Sequence, residues 1–251
     1  MTDKSEFLLS RKTIRKYSGR PVEDSMLDEL LVKGCRASTT GNMQLYSIIT
    51  TRNKDMKMAL APLHFNQKMV TEAPVLLTFC ADFNRFKKWC LLRNAEPGYD
   101  NFLSFFTSSI DALLVAQTFC IAAEAEGLGI CYLGTTTYTA EKIIEVLKLP
   151  KGVIPVTTIT VGWPAEDPEQ VDRLPLAAVV HKEVYRDYTP ADLELYYSEK
   201  EAREDSQKFV KENNKETLAQ VFTDVRYKKA DNVHFSKSFL KVIEEQGFMN
   251  Q

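Results

Sequence analysis

Three polar clusters in this sequence hold side chains suited to gripping a phosphorylated heterocycle. The first is Arg11-Lys12-Thr13-Ile14-Arg15, with two guanidiniums four residues apart and a threonine hydroxyl between them. On a helix that spacing puts Arg11 and Arg15 on one face, and paired guanidiniums fork onto phosphate oxygens. Taken alone, a solvated basic face is the commoner reading of such a segment. The second, Ser38-Thr39-Thr40-Gly41-Asn42-Met43-Gln44, concentrates hydroxyl and amide groups just before an apolar run. It suits a polyol or a heterocycle, and equally a loop that caps a helix. The third, Tyr132-Leu133-Gly134-Thr135, follows an apolar run, and its glycine would let a flat ligand approach backbone N–H groups. An ordinary turn at a strand end explains it as well.

Most common chemistries are missing. The sequence has no GxxxxGK[ST] loop, no GxGxxG after a strand, no HExxH, no GxSxG and no Cys/His metal spacing. With only His64, His181 and His234, a zinc site or a Ser-His-Asp triad is not expected, and each histidine reads as a surface or hydrogen-bonded structural residue. The five cysteines (35, 80, 90, 120 and 131) include no CxxC pair, and Cys80, Cys120 and Cys131 lie in apolar segments, as reduced core thiols do. Of 251 residues, 32 are Lys or Arg and 34 Asp or Glu, a net charge of −2, and 44% are hydrophobic. That balance fits a globular fold, not disorder, and offers no broad basic face for nucleic acid. The start, MTDKSEFLLSRKTIRKY, lacks the apolar run of a secretory signal, so a cytoplasmic location is expected. The longest apolar stretch, Leu113 to Ala123, is about half the ~20 residues that cross a bilayer, and reads as a buried helix rather than a membrane segment.

The elements that must position these clusters follow from periodicity. Two helical patterns occupy residues 5–37, one ending near Tyr17 and one from Glu23 to Arg36. Strands are expected at Tyr46–Thr51, Pro74–Phe83, around Ile130-Cys131-Tyr132-Leu133, and at 155–163, with helices near 54–60 and 140–148. Phe102 to Glu126 is apolar on most sides of a helical wheel, so that helix needs cover from its own core or from a second subunit. Gly127 and Gly129 punctuate its end. Composition places a core at 1–188 and a charged helical extension at 189–251, ending in a helix near 235–246.

In order along the chain, SRKTIRKY, CRASTTGNMQLYSII, FNQK, VLLTFCADFNR, AEGLGICYLG, KLPKGVIPVTTITVGWPAEDP and RLP resemble the FMN-dependent nitroreductases, in particular the group with the major oxygen-insensitive nitroreductase and flavin reductase P. The resemblance spans residues 5–190. It implies an α+β (α/β/α) fold, with a central mixed, mainly antiparallel sheet flanked by helices, in an intertwined homodimer whose extension wraps the partner subunit or covers the acceptor site. It implies FMN at the subunit interface, with Arg11, Lys12, Thr13 and Arg15 at the FMN-binding start and Arg173 joining at the phosphate. Ser38, Thr39, Asn42 and Gln44 would contact the ribityl chain and ring, Gln67 the ring edge, and the backbone of Leu133, Gly134 and Thr135 the N5 and O4 region.

This chain departs from that pattern at several places. Arg11-Lys12-Thr13 stands where the relatives have His-Arg-Ser, Val171 where they have a lysine, and Thr135 where they have a second glycine. Thr136 and Thr137 occupy the region of their NADPH-binding arginines, which leaves the choice of NADPH or NADH open. The implied activity is ping-pong: NADPH or NADH reduces the flavin and leaves, and a small-molecule acceptor such as a nitroaromatic, quinone, free flavin or azo compound then takes two electrons. The flavin carries the chemistry, so no catalytic side chain is expected. Alternatives are a specialised reductive dehalogenase or flavin-cleaving enzyme, an FMN- or nucleotide-binding regulator without turnover, and a structural dimer without cofactor.

Overall fold

A computed structural model describes residues 6–250. They form two compact units, one of the residues up to Glu169 together with those from Phe235 onward, the other Gln170–His234.

Up to Glu169, in chain order, the α-helices and strands of the first unit are α1 (Glu6–Ser10), α2 (Asp24–Gly34), β1 (Tyr46–Thr51), α3 (Lys54–Leu60), α4 (Met69–Glu72), β2 (Val75–Asp82), α5 (Asn84–Leu92), α6 (Phe102–Ala125), β3 (Gly129–Leu133), α7 (Ala140–Leu147) and β4 (Val153–Gly162). The strands form one sheet in the order β1-β2-β4-β3, antiparallel at every pairing. The parallel pairing of a mixed sheet is absent among the described residues.

Strand β2 is buried along its whole length, which removes the alternation a half-exposed strand would show. Its residues still sort by face. Val75, Leu77 and Phe79 pack with Leu27 and Leu30 of α2 and Val115, Phe119 and Ala123 of α6. Leu76 faces the other layer with Leu60, Val70 and Ile143. Helix α6 is by length and composition the one described helix able to cross a membrane, yet ten of its residues are buried, so it is a core helix. Its other side keeps an apolar stripe of Leu103, Phe106, Ile110 and Leu113 exposed, with Leu103 at 70%.

The first helix is shorter than its periodicity predicts. It stops at Ser10, and residues 11–17 run extended, with Ile14 N–H donating to Ile130 O at 3.1 Å and Tyr17 bridging to Pro164. Tertiary pairing overrides the helical pattern here because Gly129 leaves room: a Cβ on Gly129 would lie 2.6 Å from the Ile14 Cβ. Gly127, at φ +83°, ends α6 as expected, and the following Leu128 N–H reaches Ala123 O at 3.0 Å. Helix α5 is not among the elements that periodicity predicts. Its start is tied down by Asp82, whose Oδ1 accepts the Arg85 N–H, a contact no periodicity displays.

In the second unit, α8 (Pro190–Ala202) and α10 (Leu218–Val221) begin with capping boxes, Thr189/Asp192 and Thr217/Gln220, and α9 (Glu204–Glu212) lies between them. The last helix, α11 (Lys229–Glu245), starts six residues before the expected 235. The compact units divide at 169/170 and 234/235. Charge composition changes near 190, but contacts do not follow it. Asp172 already pairs with Lys200 at 2.9 Å, and Val242, Ile243 and Phe248 are buried with Leu45, Phe83 and Phe105.

Candidate functional site

Arg11 and Arg15 do not share a helical face, because their segment is extended. Arg11 is committed to Glu124, with Nη2–Oε1 at 2.9 Å and Nε–Oε2 at 3.1 Å, and this bidentate bond raises its already high pKa. Lys12 reaches Asp167 at 2.7 Å, an exposed pair. The backbone N–H groups of Arg15 and Lys16 both donate to Glu166 Oε1, at 2.7 and 3.0 Å. Among the described residues the Arg15 guanidinium makes no ion pair. It lies against the Cys131 thiol, which burial pushes up and Arg15 draws back down. Thr13 is half-buried beside the buried Ile14.

The Ser38–Gln44 segment is a loop with one 3-10 turn, Thr40–Asn42. Gly41, Asn42 and Gln44 all take left-handed backbone, where only glycine is free of strain. Asp111 of α6 holds them there. Its Oδ1 accepts from Thr40 N–H at 2.9 Å and Thr40 Oγ1 at 3.1 Å, and its Oδ2 from Leu45 N–H at 3.1 Å. A buried carboxylate on an apolar helix must find such donors. In the sequence it shows only as one of three breaks, with Gln117 and Glu124, in an apolar helix. Ser38, Thr39, Asn42 and Gln44 then line a recess of about 300 Å³.

The two remaining groups are stitched together. The Gln67 side-chain amide donates to His64 O at 3.1 Å, and Thr139 Oγ1 donates to Leu63 O at 2.7 Å. His64 Nδ1 lies 2.8 Å from Thr135 Oγ1. His64 is wholly buried, and burial pushes its pKa down to about 4, which keeps it neutral at physiological pH. Its Nε2 is buried without a hydrogen-bond partner among the described residues. A proton there would leave a buried N–H unsatisfied at a cost of roughly 1–3 kcal/mol, so the proton belongs on Nδ1, donating to Thr135. His64 is buried and hydrogen-bonded, and its bond to Thr135 is a feature sequence reasoning missed. Beside it, Gly134 is exposed, and a Cβ added there would meet no residue other than its chain neighbours within 4 Å.

Within the first unit these clusters occupy two places. The Ser38–Gln44 loop enters β1 and the Leu133–Thr135 segment leaves β3, both toward the end of the sheet where β4 begins, since Tyr46 pairs with Ala81, Ala81 with Ile154, and Leu133 with Thr158. But β1 and β3 are opposite edges. Three interstrand spacings, roughly 14 Å, separate them. Arg173 lies in the second unit, exposed, with Nη1 on Asp172 O at 2.8 Å. That unit has its own cavity of about 670 Å³, walled by Leu176, Val180, His181, Tyr185 and Tyr188. Among the described residues no group of three His, Cys, Asp or Glu could hold a metal.

Comparison with known proteins agrees with this architecture. The nitroreductase family profile matches residues 8–163. The chain is 34% identical over 186 residues to the oxygen-insensitive NADPH nitroreductase of Salmonella typhimurium, covering 74% of this chain and 76% of that one. It is likewise 34% identical over 194 residues to the FMN reductase (NADPH) of Bacillus subtilis, covering 74% and 75%. A crystal structure of a candidate oxidoreductase from Bacteroides fragilis NCTC 9343 superposes with a TM-score of 0.96 at 55% identity, over 98% of this chain and 100% of that one.

Proposed function

The chain belongs to the nitroreductase family of NAD(P)H-dependent oxidoreductases, and from that premise we propose that it binds FMN and passes two electrons from NADPH or NADH to nitroaromatics, quinones or flavins. The observation that carries this reading is the open backbone at Gly134, where a methyl group would meet no residue other than its chain neighbours within 4 Å, next to Thr135, which His64 holds, and to Gln67, which holds His64. Gly134 itself puts no side chain in the way of a flat ring.

Bound FMN supplies the electron-transfer chemistry. The protein supplies position and charge. On this reading Arg15 and Thr13 hold the phosphate, and Lys12 can leave its exposed partner Asp167 at little cost to join them. Arg11, bound to Glu124, anchors the segment in place of gripping the ligand. Leu133, Gly134, Thr135 and Gln67 border the ring, and Ser38, Thr39, Asn42 and Gln44 supply hydroxyl and amide groups.

Two copies of the chain account for the separation of these groups. The loop before β1 and the segment after β3 sit on opposite sheet edges, so one subunit's loop would meet the other's β3 edge in a homodimer. The exposed apolar stripe of α6 gives such a dimer an interface. The test is titration of the purified protein with FMN. Quenching of flavin fluorescence should saturate at one FMN per 28.6 kDa chain, with a sedimentation mass of two chains, and Arg15→Ala should weaken binding about tenfold or more. Absence of uptake, or an Arg15→Ala variant that binds as the parent does, overturns the assignment.

A further inference from the structure

Thr135 stands where the resemblance places a glycine, so its side chain is this chain's own addition to the segment beside Gly134. Its hydroxyl oxygen accepts the Nδ1 hydrogen of His64 at 2.8 Å, because the buried Nε2 has no partner among the described residues and that tautomer is the one with no unsatisfied N–H. A hydroxyl that accepts still has its own hydrogen to give. Among the described residues His64 is the partner of this hydroxyl; Thr135 is itself only 8% exposed, but it adjoins the exposed Gly134, where an added Cβ would meet no residue beyond its chain neighbours within 4 Å. His64 is itself fixed, since its carbonyl accepts from the Gln67 side chain and the adjoining Leu63 carbonyl accepts from Thr139.

We propose that Thr135, its hydroxyl turned by the imidazole of His64, is a side-chain hydrogen-bond donor to the carbonyl-bearing edge of the flavin ring, and that His64 is the positioning residue for it. The inference rests on the FMN reading above and deepens it. A donor fixed at that edge favours the reduced ring, which carries more negative charge, over the oxidised one. It needs no proton transfer and no further reactant. His64 is placed outside the reaction, because among the described residues the one hydrogen bond of its ring goes to Thr135.

The experiment measures the two-electron midpoint potential and visible spectrum of the FMN-loaded protein. Thr135→Val keeps the shape of the side chain and deletes the donor. If the donor favours the reduced flavin tenfold, the potential falls by about 30 mV, and Thr135→Ser restores it. His64→Leu should shift the potential in the same direction. His64→Asn, which keeps an N–H near the Nδ1 position, should restore it, and His64→Leu/Thr135→Val should fall no further than Thr135→Val alone. The two Thr135 variants leave His64 in place, so they decide the matter on their own if His64→Leu is unstable. A Thr135→Val protein that binds FMN with unchanged potential and spectrum overturns the proposal while leaving the FMN reading intact. A parent protein that takes up no FMN overturns both.

Discussion

The Arg11 guanidinium lies fork to fork against the Glu124 carboxylate, at 2.9 and 3.1 Å, with the Arg11 side chain 25% exposed and that of Glu124 only 9%. The pair ties the extended segment after α1 to the end of α6. Removing Arg11 strands a nearly buried carboxylate. Arg11→Ala should therefore destabilise the protein by roughly 1–3 kcal/mol, lowering Tm by roughly 2–4 °C for each kcal/mol, and Arg11→Ala/Glu124→Ala should recover part of the loss. Thermal unfolding of the three proteins checks this. An Arg11→Ala variant as stable as the parent would show that the pair contributes nothing.

Asp111 sets the loop that ends at Gln44. Asp111→Ala leaves the Thr40 and Leu45 N–H groups without their acceptor, and should cost roughly 3 kcal/mol. Asp111→Asn, which keeps one acceptor oxygen, should cost less. Hydrogen exchange gives the local readout, with the Leu45 amide, otherwise buried, exchanging much faster in the alanine variant.

Gly129 is held to its identity by Ile14. Gly129→Ala places a methyl carbon 2.6–2.7 Å from three Ile14 side-chain atoms, so Ile14 must move and carry Thr13 and Arg15 with it. The expected cost is roughly 1–3 kcal/mol, accompanied by weaker FMN binding. Loss of stability with unchanged FMN affinity would separate the segment from the ligand.

His64 makes stability depend on pH. Its imidazole titrates near 6.5 when unfolded and near 4 when buried, so below pH 6.5 the unfolded chain binds the extra proton. The stabilisation is fully present above pH 6.5 and is lost as pH falls toward 4, by at most roughly 3 kcal/mol. Urea unfolding from pH 7.5 to 4 should show that decline, and His64→Asn should flatten it in that window. Parallel pH profiles for the two proteins would contradict the burial effect.

Much of this was legible in the sequence, and what was not has physical reasons. Strand β1 and helices α3 and α6 fall where their periodicity puts them, because their apolar faces pack in the layer that periodicity reports. The 11–17 segment misleads because its i, i+4 arginines look helical, while a long-range bond from Ile14 to Ile130 decides its conformation. The commitment of Arg11 to Glu124 spans 113 residues, and that of the Arg15 backbone to Glu166 spans 151. No spacing rule reaches so far. The polar loop was visible as a cluster, whereas Asp111, which shapes it, was visible only as an interruption in an apolar helix. That the loop and the Gly134 segment lie on opposite edges follows from strand order, which local sequence does not encode.

The most direct test of the central claim is the visible absorption spectrum of the purified, FMN-treated protein, followed by anaerobic addition of NADPH and, separately, NADH. A bound flavin band that bleaches with at least one of the two is the predicted result, and the faster donor identifies the nicotinamide preference. A protein that stays colourless after exposure to FMN, or a bound flavin that neither nucleotide reduces, would contradict it.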